Sequence, residues 1–143
     1  MKKEHILVSG PIDSSLIVDY IDRVSDDKGS GAHSIFLGQV RNDKINGRTV
    51  EAIEYSAYKE MVEKEAQKIK DTVLTAYSDV NKVVITHSTG IVKAGELSLF
   101  VMVTAGHRDQ ATRACRHVVE MIKQNYPVWK KEMFDNDSHR WKE

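Results

Sequence analysis

The run ELSLFVMVTAG, residues 96–106, constrains the fold more than any other stretch. Leu97, Leu99, Phe100, Val101, Met102 and Val103 leave almost no polar position on either face. A half-buried strand alternates polar and apolar, whereas a nearly continuous apolar strand must be covered on both sides. This segment is therefore predicted to be a central strand. Past Gly106, HRDQATRACRHVVEMIKQNY (107–126) changes to a helical period, with Ala111, Cys115, Val118, Val119 and Ile122 on one face. Pro127 ends that helix, because it has no N–H to donate and disfavours helical backbone in the residue before it.

The remaining segments are arranged around this pair. HILVSG (5–10) reads as a short first strand. After Pro11, a start signal at Asp13 or Ser14 leads into Leu16, Ile17, Tyr20, Ile21 and Val24 at helical spacing. GAHSIFLGQVR (31–41) reads as a strand with a bend or close approach at Gly38, and NDKINGR (42–48) as a loop with an Asn-Gly turn. TVEAIEYSAY (49–58) alternates, then runs into a long helix over 58–77 whose stripe is Met61, Val62, Ala66, Ile69, Val73 and Leu74. NKVVITHSTGIV (81–92) reads as a strand ending in a turn, and the tail after Pro127 as irregular or a short hairpin. Strands interleaved with three helices, and strand neighbours placed like hairpins, predict an α+β domain. Its sheet is mostly antiparallel with helices packed on it. One domain over 1–143 suits the length.

The 21 Lys+Arg and 21 Asp+Glu cancel, so no whole-chain field points to nucleic acid or an anionic membrane. The apolar run after the first lysines is too short for a signal peptide, and no stretch reaches the roughly 20 apolar residues of a membrane span. Cys115 is the one cysteine, which excludes an internal disulfide and a zinc site built on paired cysteines. No HExxH motif, nucleotide phosphate loop or dinucleotide glycine motif is present. A cytoplasmic protein without metal or nucleotide cofactor is expected.

The chemistry-bearing residues lie elsewhere. Cys115 falls inside an apolar stripe and reads as a small core residue rather than a nucleophile. His107 and Arg108 open a long helix, where backbone N–H groups attract anions and a guanidinium fits phosphate or carboxylate, although a solvated first turn has the same sequence. Arg41 ends a strand before a loop. Lys123 borders the apolar stripe of its helix, and Lys130 follows the Pro127 break beside Trp129. Gathered with Lys131, Arg41 and Arg108, they would form a cationic pocket in which repulsion and partial burial lower a lysine pKa. Singly, each is as well explained as a solvated end group.

GAHSIFLGQVRN, TAGHRDQA, MIKQNYPVWKKE and a final RW occur in this order. Together they resemble the large, catalytic subunit of molybdopterin synthase, over roughly residues 5–142. The most specific element is K-x6-K-x-E with proline and tryptophan inside it. The resemblance implies an α/β hammerhead-type fold. It implies an enzyme that converts cyclic pyranopterin monophosphate (precursor Z) to molybdopterin by two sulfur transfers. The sulfur would arrive as a thiocarboxylate on the C-terminal Gly-Gly tail of a small ubiquitin-like subunit, and a homodimer of this chain would sit at the centre of a heterotetramer. By motif position, Lys123 and Lys130 match the catalytic lysines. Gln39, Val40, Arg41, His107, Arg108, Lys131 and Glu132 match substrate-binding positions. The chain departs from some members at Gln39, where they carry lysine, and at Lys131, where they carry arginine. The competing reading is a non-catalytic module that binds an anion or an acidic partner through the same cations.

Overall fold

The computed structural model describes residues 4–142. Its strands are β1 (Leu7–Ser9), β2 (Ala32–Gln39), β3 (Lys44–Ile45), β4 (Arg48–Ala57), β5 (Val80–Lys93), β6 (Leu97–Ala105), β7 (Val128–Phe134) and β8 (His139–Trp141). The helices are α1 (Ser14–Val24), α2 (Lys59–Ala76) and α3 (Arg108–Asn125). One mostly antiparallel sheet runs β2-β6-β5-β4-β7-β8, with β3 beside β4 and β1 parallel to β5. This is the α+β architecture expected from the sequence.

The apolar run is indeed central. β6 lies between β2 and β5, and Leu99 to Val103 are all buried. Its two faces meet different helices. Val101, Val103 and Ala105 join Val83, Ile85, Ile69, Val73, Ala114, Cys115 and Val118 in a core beneath α2 and α3. Phe100 and Met102 point the other way, into a core with Tyr20 and Val24 of α1. Tyr20 stacks on Phe100 with ring centroids 5.6 Å apart. Burial of a side chain such as Phe100 is worth about 1.5–3 kcal/mol. Asp13 caps α1 by accepting from the Ser15 N–H. Ile21, Met61 and Leu74, placed on the apolar stripes by periodicity, are instead exposed. One face of a helix is wider than the surface its neighbours cover.

β5 departs from the expected strand-and-turn. It continues through Gly90 (φ +80°) to Lys93 and serves two antiparallel partners besides β1. Val80 to His87 pair with β6, whereas Gly90 to Lys93 pair with β4. Glycine takes this positive φ without the penalty a Cβ would impose, so the strand can bend here. The sheet thereby splits into two wings that share β5. The turn lies after Lys93, near Gly95 (φ +93°). Asn46 and Gly47 both have positive φ and join β3 to β4, as an Asn-Gly hairpin signal requires. At Gly38 the β2–β6 register shifts, and a Cβ there would sit 3.1 Å from that of Leu99. The tail forms the β7–β8 hairpin.

Candidate active site

α3 and β7 are separated only by Tyr126 and Pro127. Tyr126 takes the extended backbone that a following proline imposes (ψ 127°), so the helix stops and the chain enters β7 at once. This corner brings Lys123, in the last turn of α3, and Lys130, in β7, to one cavity of about 460 Å³. The cavity occupies the seam between the two wings. The end of β2 supplies Gln39, Val40 and Arg41. β4 supplies Tyr55, β5 His87, β6 Ser98, and β7 also Glu132. Six of the nine residues singled out by motif position therefore share one wall-to-wall site.

The electrostatics are those of crowded cations. Lys130 is held down from the usual 10.5 to about 8, first by burial, then by the Lys123 and Lys142 ammonium groups. His87, almost fully buried, is pushed from 6.5 down to about 4, chiefly by burial. Its Nδ1–H donates to the Ser88 carbonyl at 2.8 Å, which opposes the fall, while Lys130 and Lys123 add to it. Burial raises the Tyr55 and Tyr126 phenols. The Tyr55 hydroxyl bonds Ser98 Oγ at 3.1 Å. Glu132 is 2% exposed, and its Oε1 accepts from Arg140 Nη2 at 2.9 Å and Nε at 3.2 Å. Arg41 is largely exposed and pairs with Asp43 at 3.0 Å. Val40 is a core residue, fixed by backbone bonds to Glu96 and Gly95, and anchors the strand end that carries Arg41.

Three expected members do not join this cavity. Lys131 follows Lys130 on a strand, so it points to the opposite face, where it pairs with Glu54 at 3.1 Å and lies 5.4 Å from the Trp141 ring. His107 and Arg108 stand at the far end of α3, fifteen residues from Lys123, which is roughly 22 Å along a helix. Both are exposed, and His107 bonds Asp79 through its backbone N–H at 2.7 Å. Trp129, on the face of β7 opposite Lys130, meets the Tyr58 ring edge-on. Cys115 is buried in the core, and burial pushes its thiol up, away from nucleophilic character.

Sequence reasoning missed His87, Tyr55, Tyr126, Ser98 and Lys142 as cavity residues. Tyr55, Ser98 and His87 sit within strands, Tyr126 caps α3 and Lys142 lies near the end of the chain, and these positions carry little local mark. The one available signal was His87, a polar side chain inside the run VVITHSTG.

A model of the MoaE protein family matches residues 9–125. A Dictyostelium discoideum protein named molybdopterin synthase catalytic subunit is 35% identical over 144 residues, which is 99% of this chain and 90% of that one. The crystal structure of a molybdopterin synthase from Staphylococcus aureus superposes with a TM-score of 0.85 at 27% identity, covering 100% of this chain and 99% of that one. A complex of subunits 1 and 2 of the molybdopterin-converting factor from Helicobacter pylori contains a chain with TM-score 0.78. At 20% identity, over 95% of this chain and 88% of that one, the likeness speaks for the fold.

Proposed function

The chain belongs to the MoaE protein family, and from that premise we propose that it converts precursor Z to molybdopterin with sulfur carried by a small ubiquitin-like subunit. An enzymatic role in molybdopterin synthesis, within molybdenum cofactor biosynthesis, comes with the family. The observation that carries the finer reading is the cavity that joins Lys123 to Lys130, with the latter held at about 8. At pH 7.5 an amine with that value is neutral in roughly a quarter of molecules, against about one in a thousand for an ordinary lysine. Once the thiocarboxylate sulfur has bonded to the substrate, water must cleave the bond between that sulfur and the carrier's acyl carbon. A neutral amine can accept the proton of that water, and the ammonium it becomes can hold the carboxylate so formed on the carrier's tail.

Lys123 and Arg41 supply fixed positive charge for the substrate phosphate, with Gln39 as an amide donor beside them. Binding of the phosphate by Arg41 replaces its contact with Asp43. A Gly-Gly tail suits a narrow approach to Lys130, since glycine has no side chain to clash. The Helicobacter pylori chain of this fold is found in a complex of subunits 1 and 2 of its converting factor. His107 and Arg108 lie too far from the cavity of their own chain to act there. An anion-binding role for this pair therefore requires a second copy of the chain, in keeping with a homodimeric centre. Glu132, neutralised by Arg140, holds the β7 wall in place rather than meeting an anion.

The test is direct. The purified protein, a thiocarboxylated small subunit and precursor Z are incubated, and products are identified by mass. Molybdopterin is the expected product. Its absence where a molybdopterin synthase works under the same conditions would defeat the reading.

A further inference from the structure

The cavity is rich in hydrogen-bond donors. Lys123, Lys130, Lys142 and Arg41 only donate. Two carboxylates line the same space, each paired with an arginine: Asp43 with Arg41, and Glu132 through Oε1 with Arg140. Beside the Gln39 amide and the Tyr126 hydroxyl, which has no partner among the described residues, His87 offers a neutral ring acceptor. It lies on β5 where the wings part, 5% exposed, with the Tyr55 ring edge-on at 5.1 Å and the Tyr126 ring tilted at 6.1 Å. Its Nδ1–H is committed to the Ser88 carbonyl, which leaves the lone pair on Nε2. Among the described residues Nε2 has no hydrogen-bond partner.

We propose that His87 is a specificity-determining residue of this cavity, its Nε2 accepting a hydrogen bond from a ring N–H or amino group of the bound pterin. The inference rests on the pterin reading above and adds to it the group that recognises the heterocycle. A phosphate is met by cations, but a pterin also carries N–H donors, which a wall of ammonium groups repels. An uncharged acceptor between two aromatic rings meets that need. The two rings hold the imidazole in place, and its lone pair, open to the cavity, discriminates against bound rings that cannot donate, because they would cover it and leave it unpaired.

The flanking charges explain why the acceptor is an imidazole. Lys123 faces it from α3, Lys130 and Glu132 from β7, Lys142 from the end of β8, and the phenols of Tyr55 and Tyr126 from β4 and the α3–β7 corner. Burial first, and the two ammonium groups after it, oppose protonation of His87, so it stays an acceptor throughout the physiological range. A carboxylate at this position would also accept, but it would pair with Lys130 and restore that lysine to its ordinary basicity. The neutral imidazole serves the substrate without quenching the amine.

The experiment compares wild type with His87→Phe, His87→Gln and His87→Glu. Binding of neopterin monophosphate is followed by its fluorescence, and sulfuration of precursor Z by mass. His87→Phe keeps a ring against Tyr55 but has no acceptor. It should weaken neopterin monophosphate binding and raise KM by about fivefold to a hundredfold, with a smaller change in kcat. His87→Gln presents an amide oxygen and should recover most of the affinity. His87→Glu should move the pH dependence of kcat to higher pH. Circular dichroism and thermal melts establish that each variant is folded. Should His87→Phe fail to fold, His87→Gln against His87→Leu decides the same point. A folded variant lacking the acceptor that binds the pterin as wild type does would overturn the inference, as would a wild type that turns over precursor Z but ignores neopterin monophosphate. His87-dependent pterin binding in a protein that sulfurates nothing would leave the inference standing and refute the sulfur-transfer reading instead.

Discussion

Replacing Lys130 with methionine should stop turnover and make the protein more stable. The lysine's pKa falls from 10.5 unfolded to about 8 in the folded chain. At 1.36 kcal/mol for each tenfold change in proton affinity, this corresponds to roughly 3 kcal/mol. Solvent reaches part of the side chain, which reduces the figure to about 2 kcal/mol. The unfolded chain keeps the Lys130 proton up to pH 10.5, whereas the folded chain releases it near 8. Between those values the unfolded state binds more protons, so wild-type stability from this group rises with pH across the window. Below pH 8 the folded protein carries the whole cost of a half-buried ammonium beside Lys123 and Lys142. Lys130→Met removes that cost. Urea titrations at pH 6.5, 8.0 and 9.5 should show a gain of about 2 kcal/mol at the lowest pH, shrinking above 8. In a chain of this size the Tm should rise by about 6 °C at neutral pH. Sulfur transfer should meanwhile fall about 10²–10⁴-fold. In wild type, kcat should climb as pH rises towards 8. A variant no more stable than wild type at pH 6.5, or a gain that stays flat to pH 9.5, would refute the account of Lys130 as a strained, functionally placed amine.

Arg41→Ala should raise KM for precursor Z more than it lowers kcat, because a phosphate grip exists before the transition state; the loss should be about 1.5–3 kcal/mol in steady-state kinetics. Cys115→Ala should keep sulfur transfer near normal and lower stability by about 1 kcal/mol, since the thiol is a buried core group; dependence of turnover on Cys115 would overturn this. Arg140→Met should cost about 3 kcal/mol in denaturant unfolding, because it strands the buried Glu132 carboxylate, and adding Glu132→Gln should recover much of it.

Local patterns in the chain determined most of its elements. The apolar run at 97–103 could be nothing but an interior strand, and the stripe from Ala111 to Ile122, closed by Pro127, could be nothing but a packed helix. The Asp13 cap and the Asn46-Gly47 turn were legible for the same reason, since each depends on residues within a few positions. The Lys123–Lys130 pairing was legible too, because a proline between them forces a short corner. Other features depended on contacts between distant segments. That β5 continues past Gly90 and splits the sheet into two wings follows from its two antiparallel partners, β6 and β4. The parity of β7 sends Lys130 inward and Lys131 to Glu54, and only pairing with β4 sets that parity. The length of α3 carries His107 and Arg108 away from the cavity that their motif suggested. His87 becomes a buried neutral acceptor only because α3 and β7 close over β5 and set Lys123 and Lys130 beside it, an environment that no stretch of VVITHSTG contains.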